Sequence, residues 1–175
     1  MATPRRRIRD SRRRHEASKY FNELVTIIYR YTDVILRFDD PTFTIKSDGT
    51  GSLFIPSLGA FERLTPRSIP NGLVFIDGSF LTIKEIFRYD YANTEDEPRI
   101  IRSEFSYHYQ SPPLKFFFRY DYHPEIGDLT THPLYHLHVG CWRAEEEKFS
   151  GKPRFRVPEV TLEEVLELII RDFLT

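Results

Sequence analysis

Residues 99–122 read RIIRSEFSYHYQSPPLKFFFRYDY, and their alternation decides the fold. Phe105, Tyr107 and Tyr109 share one parity, while Arg102, Glu104, Ser106 and His108 share the other. Past the prolines the pattern repeats: Leu114, Phe116, Phe118 and Tyr120 alternate with Phe117, Arg119 and Asp121. A period of two marks a strand with two chemically different faces, and Ser111-Pro112-Pro113 between the runs reads as the turn of a hairpin. A four-residue loop over 111–114 pairs Gln110 with Lys115. It sets Tyr109 opposite Phe116, Tyr107 opposite Phe118 and Phe105 opposite Tyr120, with Ser106 beside Arg119 and Glu104 beside Asp121. A one-residue slip would oppose aromatic and polar side chains, so the faces are strongly specified.

Working outward, residues 132–142, HPLYHLHVGCW, read as a further strand. Leu134, His136, His138 and Gly140 share one face; Leu137, Val139 and Cys141 share the other and suit a core. If the strands are neighbours, His136 and His138 look outward with His108, Arg119 and Asp121. Upstream, residues 72–89 form another hairpin, with Asp77-Gly78 as a two-residue connection. In it Glu85 falls on the apolar side with Leu81, Ile83 and Phe87, where an unpaired carboxylate is costly; it needs a bulge or a partner. TDVILRF, TFTIK and LFIPS read as earlier strands, the last two around the turn SDGTG. Residues 62–71 are a Pro-broken loop, 92–98 an acidic loop and 144–153 a charged connector.

Helices close both ends. Tyr20, Phe21, Leu24, Val25, Ile27, Ile28 and Tyr31 recur at helical steps and predict a helix near 14–31. Thr161 and Glu164 form a capping box ahead of the stripe Leu162, Val165, Leu166, Ile169 and Phe173. Helix, consecutive hairpins, helix, with no βαβ alternation, predicts an α+β fold. Its sheet is a mostly antiparallel meander with both helices on one face.

The 175 residues are 40% hydrophobic and 15% aromatic, enough for one folded domain over 15–175. No run of about 18 apolar residues predicts a membrane span, and no apolar stretch follows the N-terminal charge as in a secretory signal. The one cysteine, Cys141, excludes an internal disulfide and fits a cytoplasmic setting. Charge is divided unevenly. Residues 1–14 carry Arg5, Arg6, Arg7, Arg9, Arg12, Arg13 and Arg14 against Asp10, a net of +6. The remaining 18 basic and 25 acidic residues sum to −7. The basic arm is expected to be disordered; it suits phosphate contact, solubilisation, or folding back on the acidic body.

The shared polar face suggests chemistry. Ribonuclease action without a metal needs a base, an acid and a cation for the phosphate; two imidazoles and Arg119 can supply them. Imidazoles at i, i+2 can also reach one ion, with Asp121 or His108 completing the set, but no established metal-binding motif is present. The expectation is therefore a metal-free site with no cofactor. HLHVG is also similar to the alternating histidines of the HIT family, but Gly140 stands where a third His would be.

FSYHYQ, FRYDYHPEI, HPLYHLHVG and TLEEVLELI together resemble the TumE-like toxins of prokaryotic toxin–antitoxin systems, over roughly Leu73 to Leu174. Tyr107-His108, Arg119-Tyr120-Asp121, His123, His136, His138-Val139 and Glu85 fall on that family's pattern. Tyr122 replaces its Asn, and Tyr135-His136 replaces adjacent histidines. The resemblance implies a toxin that acts on RNA, with a cognate antitoxin as partner; a homodimer is left open. His108, Arg119, Asp121, His136 and His138 would be catalytic, and Glu85, Tyr107, Tyr120 and His123 substrate-binding. The other readings are a non-enzymatic RNA- or protein-binding accessory module, in which the arm supplies the affinity, and a metal-dependent phosphodiesterase.

Overall fold

The hairpin of residues 99–122 lies at the middle of an antiparallel sheet. The computed structural model describes residues 4–56, 65, 69–90, 99–124, 132–142 and 154–174, with side chains from residue 10 onward. Nine strands are present among them. These are β1 Ile35–Phe38, β2 Thr42–Ile45, β3 Thr50–Ile55, β4 Leu73–Phe75, β5 Phe80–Asp90, β6 Arg99–Ser111, β7 Phe116–Tyr122, β8 Tyr135–Cys141 and β9 Arg154–Arg156. Helices α1, Pro4–Tyr29, and α2, Leu162–Phe173, flank them in sequence. The sheet runs β1-β4-β5-β6-β7-β8-β9, and β3 also pairs with β5 while carrying β2. Every pairing is antiparallel, so the expected α+β fold is the observed one.

The β6–β7 register differs from the expected one by two residues. Ser111 pairs with Phe116, Tyr109 with Phe118, His108 with Arg119 and Ser106 with Asp121. The turn is Pro112–Lys115, closed by Lys115 N donating to Pro112 O at 3.2 Å, with Lys115 at φ 50°. This places Pro113 at the second turn position, where its fixed φ belongs; a turn over 111–114 would put it third, where proline is disfavoured. An even slide leaves each side chain on its expected face. The β4–β5 connection is also one residue longer than expected. Phe75 N donates to Ser79 O, so the loop is Ile76-Asp77-Gly78, with Gly78 taking a positive φ of 84°.

Both helices pack on the face bearing Phe105, Tyr107, Tyr109 and Phe118. Leu24 and Ile28 of α1 and Leu162, Val165, Leu166 and Ile169 of α2 join these aromatics in the main core. The capping box at Thr161 and Glu164 is present with both reciprocal bonds. Helix α1 begins at Pro4, well before residue 14, so residues 4–14 of the segment expected as a disordered arm are helical. Proline suits a first helical position because its missing N–H has no partner there. Within this segment Arg13 folds onto the sheet: its guanidinium lies 5.5 Å from the Tyr89 ring, and Tyr89 Oη donates to its carbonyl at 2.6 Å. Arg12 and Arg14 are exposed, and the side chains of Arg5, Arg6, Arg7 and Arg9 lie outside the described residues. So do residues 92–98, 144–153 and most of 62–71.

Candidate functional site

The opposite face of the sheet is organised by two rows of directly paired residues. One row runs Thr82, His108, Arg119, His138, Arg154 across β5 to β9; the next runs Lys84, Ser106, Asp121, His136, Arg156. The residues expected to share a face therefore do so, on adjacent strands.

Their burial reverses the expectation. His108, Asp121, His136 and His138 are 1–3% exposed, whereas Leu137 and Val139 are only half-buried and Cys141 is exposed. Alternation tells which residues travel together; it cannot say which of two faces is covered. A second apolar layer, with Phe54, Val74, Phe80, Phe117 and Trp142 all buried, accompanies the polar rows. Gly140 belongs to this packing, since a Cβ there would lie 2.8 Å from Phe117 Cε1. A third histidine at that place is excluded by sterics.

Asp121 is the hub. Its Oδ1 accepts from Ser106 Oγ at 2.6 Å, and its Oδ2 accepts from Arg119 Nε at 2.6 Å. His138 Nε2 stands 3.3 Å and His136 Nε2 3.6 Å from the same Oδ2, and His123 Nε2 is 3.8 Å from Oδ1. Burial would raise the Asp121 carboxyl; the adjacent His138 imidazole and the Arg119 charge outweigh it and hold the group well below the carboxylate range. Burial lowers His108 to about 3, helped by Arg119, and lowers His136 to about 4, against the pull of Asp121. His136 Nδ1 lies 2.8 Å from Pro133 O. A carbonyl only accepts, so Nδ1 carries hydrogen and Nε2 points at the carboxylate. His132 lies beyond the strand, its ring 4.4 Å from that of His136.

Four predicted substrate-binding residues divide between the faces. His123 belongs with the cluster, its Nδ1 3.1 Å from Glu104 Oε1. Tyr107, Tyr120 and Glu85 are on the helix-covered face and do not meet it. Glu85 is 1% exposed and accepts bonds from Tyr20 Oη and Tyr107 Oη, with Arg102 Nη1 3.9 Å away. It has partners, as its place on an apolar face demanded, and these partners are structural. Sequence reasoning missed Arg154 and Arg156. Strand β9 spans three residues, too short for its alternation Arg-Phe-Arg to register as a period.

A single antiparallel sheet, helices on one face and a His/Asp/Arg constellation on the other, defines a small α+β protein with a built polar site. The chain belongs to the TumE toxin family, whose model, described as Toxin TumE, matches residues 52–173. It is thus a toxin of a toxin–antitoxin system, with a cognate antitoxin as partner. No curated protein and no solved structure matches. No helix among the described residues is long and apolar enough to cross a membrane.

Proposed function

We propose that this toxin acts on RNA in the cytoplasm and cleaves its phosphodiester backbone at the face centred on Asp121. The observation that carries the reading is the pair of cross-strand rows. They surround two imidazoles and a carboxylate with Arg119, Arg154, Arg156 and Lys84. Guanidinium groups bind phosphate oxygens in pairs and stabilise the charge that grows on phosphorus during cleavage. The Arg119 side chain is 36% exposed, so it can meet a backbone from outside while its Nε stays on Asp121. Burial of His108 and His136 speaks against the metal-free acid–base pair expected from the sequence, since neither is poised to exchange a proton near neutrality.

The same burial favours a second reading, a non-enzymatic RNA- or protein-binding module. One assay separates the two. Full-length protein is incubated with single-stranded and structured RNAs beside a His136→Ala/His138→Ala variant whose circular dichroism matches wild type. Cleavage by the wild type, lost in the variant, supports the nuclease. Growth inhibition in cells with no cleavage of any RNA favours the module.

A further inference from the structure

His136, His138 and Asp121 converge more tightly than phosphate binding requires. Each offers a ligating atom within 4.8 Å of the other two, and all three are buried. The bond from His136 Nδ1 to Pro133 O aims its Nε2 inward, and neither His136 Nε2 nor His138 Nε2 has a hydrogen-bond partner among the described residues. At 3.6 Å from Asp121 Oδ2, His136 Nε2 is too far for a hydrogen bond. A proton does not close that gap, whereas a cation does.

We propose that Asp121 Oδ2, His136 Nε2 and His138 Nε2 bind one divalent first-row transition ion of the Zn2+ type. With bonds of about 2.0–2.1 Å, the edge of a tetrahedral donor set is about 3.3–3.4 Å. The distances from Oδ2 to the two imidazole nitrogens are 3.3 and 3.6 Å. An outer shell is in place for His136 and Asp121. Pro133 O holds His136, Ser106 Oγ holds Oδ1, and Arg119 Nε takes the second lone pair of Oδ2, each fixing a ligand's orientation. Two imidazoles and one carboxylate favour Zn2+, Co2+ or Fe2+ over Mg2+ and Ca2+, which prefer oxygen donors. The cationic rim of Lys84, Arg119, Arg154 and Arg156 adds to this selection, because it opposes ions held mainly by charge. Three protein ligands leave a fourth position open, the arrangement of catalytic rather than structural sites. A water there would be polarised beside Arg119. The chemistry rests on the RNA reading above; binding of the ion does not.

The test uses chelator-stripped full-length protein without RNA. Titration calorimetry with Zn2+ and absorption spectroscopy with Co2+ should show one ion per chain, with the intense visible bands of a four-coordinate Co2+ site. Mg2+ should give no heat. His138→Gln and Asp121→Asn should each weaken Zn2+ binding at least tenfold with thermal unfolding still cooperative; His15→Ala, on exposed α1, reports adventitious surface binding and should change nothing. Equal Zn2+ affinity in wild type and folded His138→Gln overturns the proposal. RNA cleavage assayed in parallel keeps the two readings apart. Stoichiometric Zn2+ without cleavage sinks the nuclease and leaves the ion site. Cleavage by metal-free protein in EDTA removes the ion from the chemistry and leaves the nuclease, while the titration alone decides the ion site.

Discussion

Glu85 is where the family resemblance and the structure disagree most, and its substitution decides between them. The carboxylate accepts from the buried phenol of Tyr107 and the half-buried phenol of Tyr20 and lies 3.9 Å from Arg102, on the face away from Asp121. In Glu85→Ala, Tyr20 and Tyr107 lose their acceptor; an unpaired buried hydroxyl costs about 1–3 kcal/mol, and with Tyr20 half-buried the pair gives at most roughly 4 kcal/mol. For a chain of this size that lowers Tm by roughly 8–16 °C. Glu85→Gln keeps an acceptor oxygen and should cost about 1 kcal/mol or less near neutral pH. Its pH dependence has a definite sign. Burial pushes the Glu85 carboxyl up, against the hydroxyls of Tyr107 and Tyr20 and the Arg102 charge. The folded state therefore keeps a proton that the unfolded chain has released. That stabilisation is complete below the ordinary value of 4.5 and is lost as pH rises through the folded value. A glutamine does not titrate. So Glu85→Gln should fall furthest behind wild type near pH 4 and close the gap toward pH 8, as read by thermal unfolding across that range. Toxicity of Glu85→Gln in cells should persist. A difference that does not vary with pH, or a loss of toxicity at unchanged Tm, would refute a purely structural role and restore the substrate contact.

Other outcomes follow from single contacts. Arg154→Ala and Arg156→Ala should each weaken RNA binding and flatten the log Kd against log salt plot by about 0.7, measured by fluorescence anisotropy on single strands. An unchanged slope would remove β9 from the interface. In Gly51→Ala the new Cβ would sit 2.1 Å from Cζ of the buried Phe87 ring, and overpacking should cost about 1–3 kcal/mol in denaturant titration. Thr161→Ala removes the capping box of α2 and should cost about 1 kcal/mol, seen as a small Tm loss, with RNA cleavage unchanged at temperatures where the protein is folded.

How much was legible in the sequence differs by element. Helix α2 announced itself through its cap and stripe, both local features, and appears as expected. The faces of β6, β7 and β8 were legible because period-two alternation survives an even slip, though the slip itself went unseen: it turned on which proline takes the second turn position. The start of α1 was not legible, because the apolar stripe begins only where the helix meets the core. β9 escaped because three residues carry no period.

The sequence by itself determined the α+β class, the family, and that Arg119 travels with Asp121 and His136 with His138, since residues two apart in a strand point the same way. The tertiary structure decided what those residues can be. It stacked β6, β7, β8 and β9 so that Asp121 sits between Ser106 and His136, and it put Glu85 and Tyr107 on the far side. It also covered the polar face, turning histidines expected at the surface into buried rings aimed at one carboxylate oxygen. Strand order and burial depend on which surfaces far apart in the chain meet, and no local pattern encodes that.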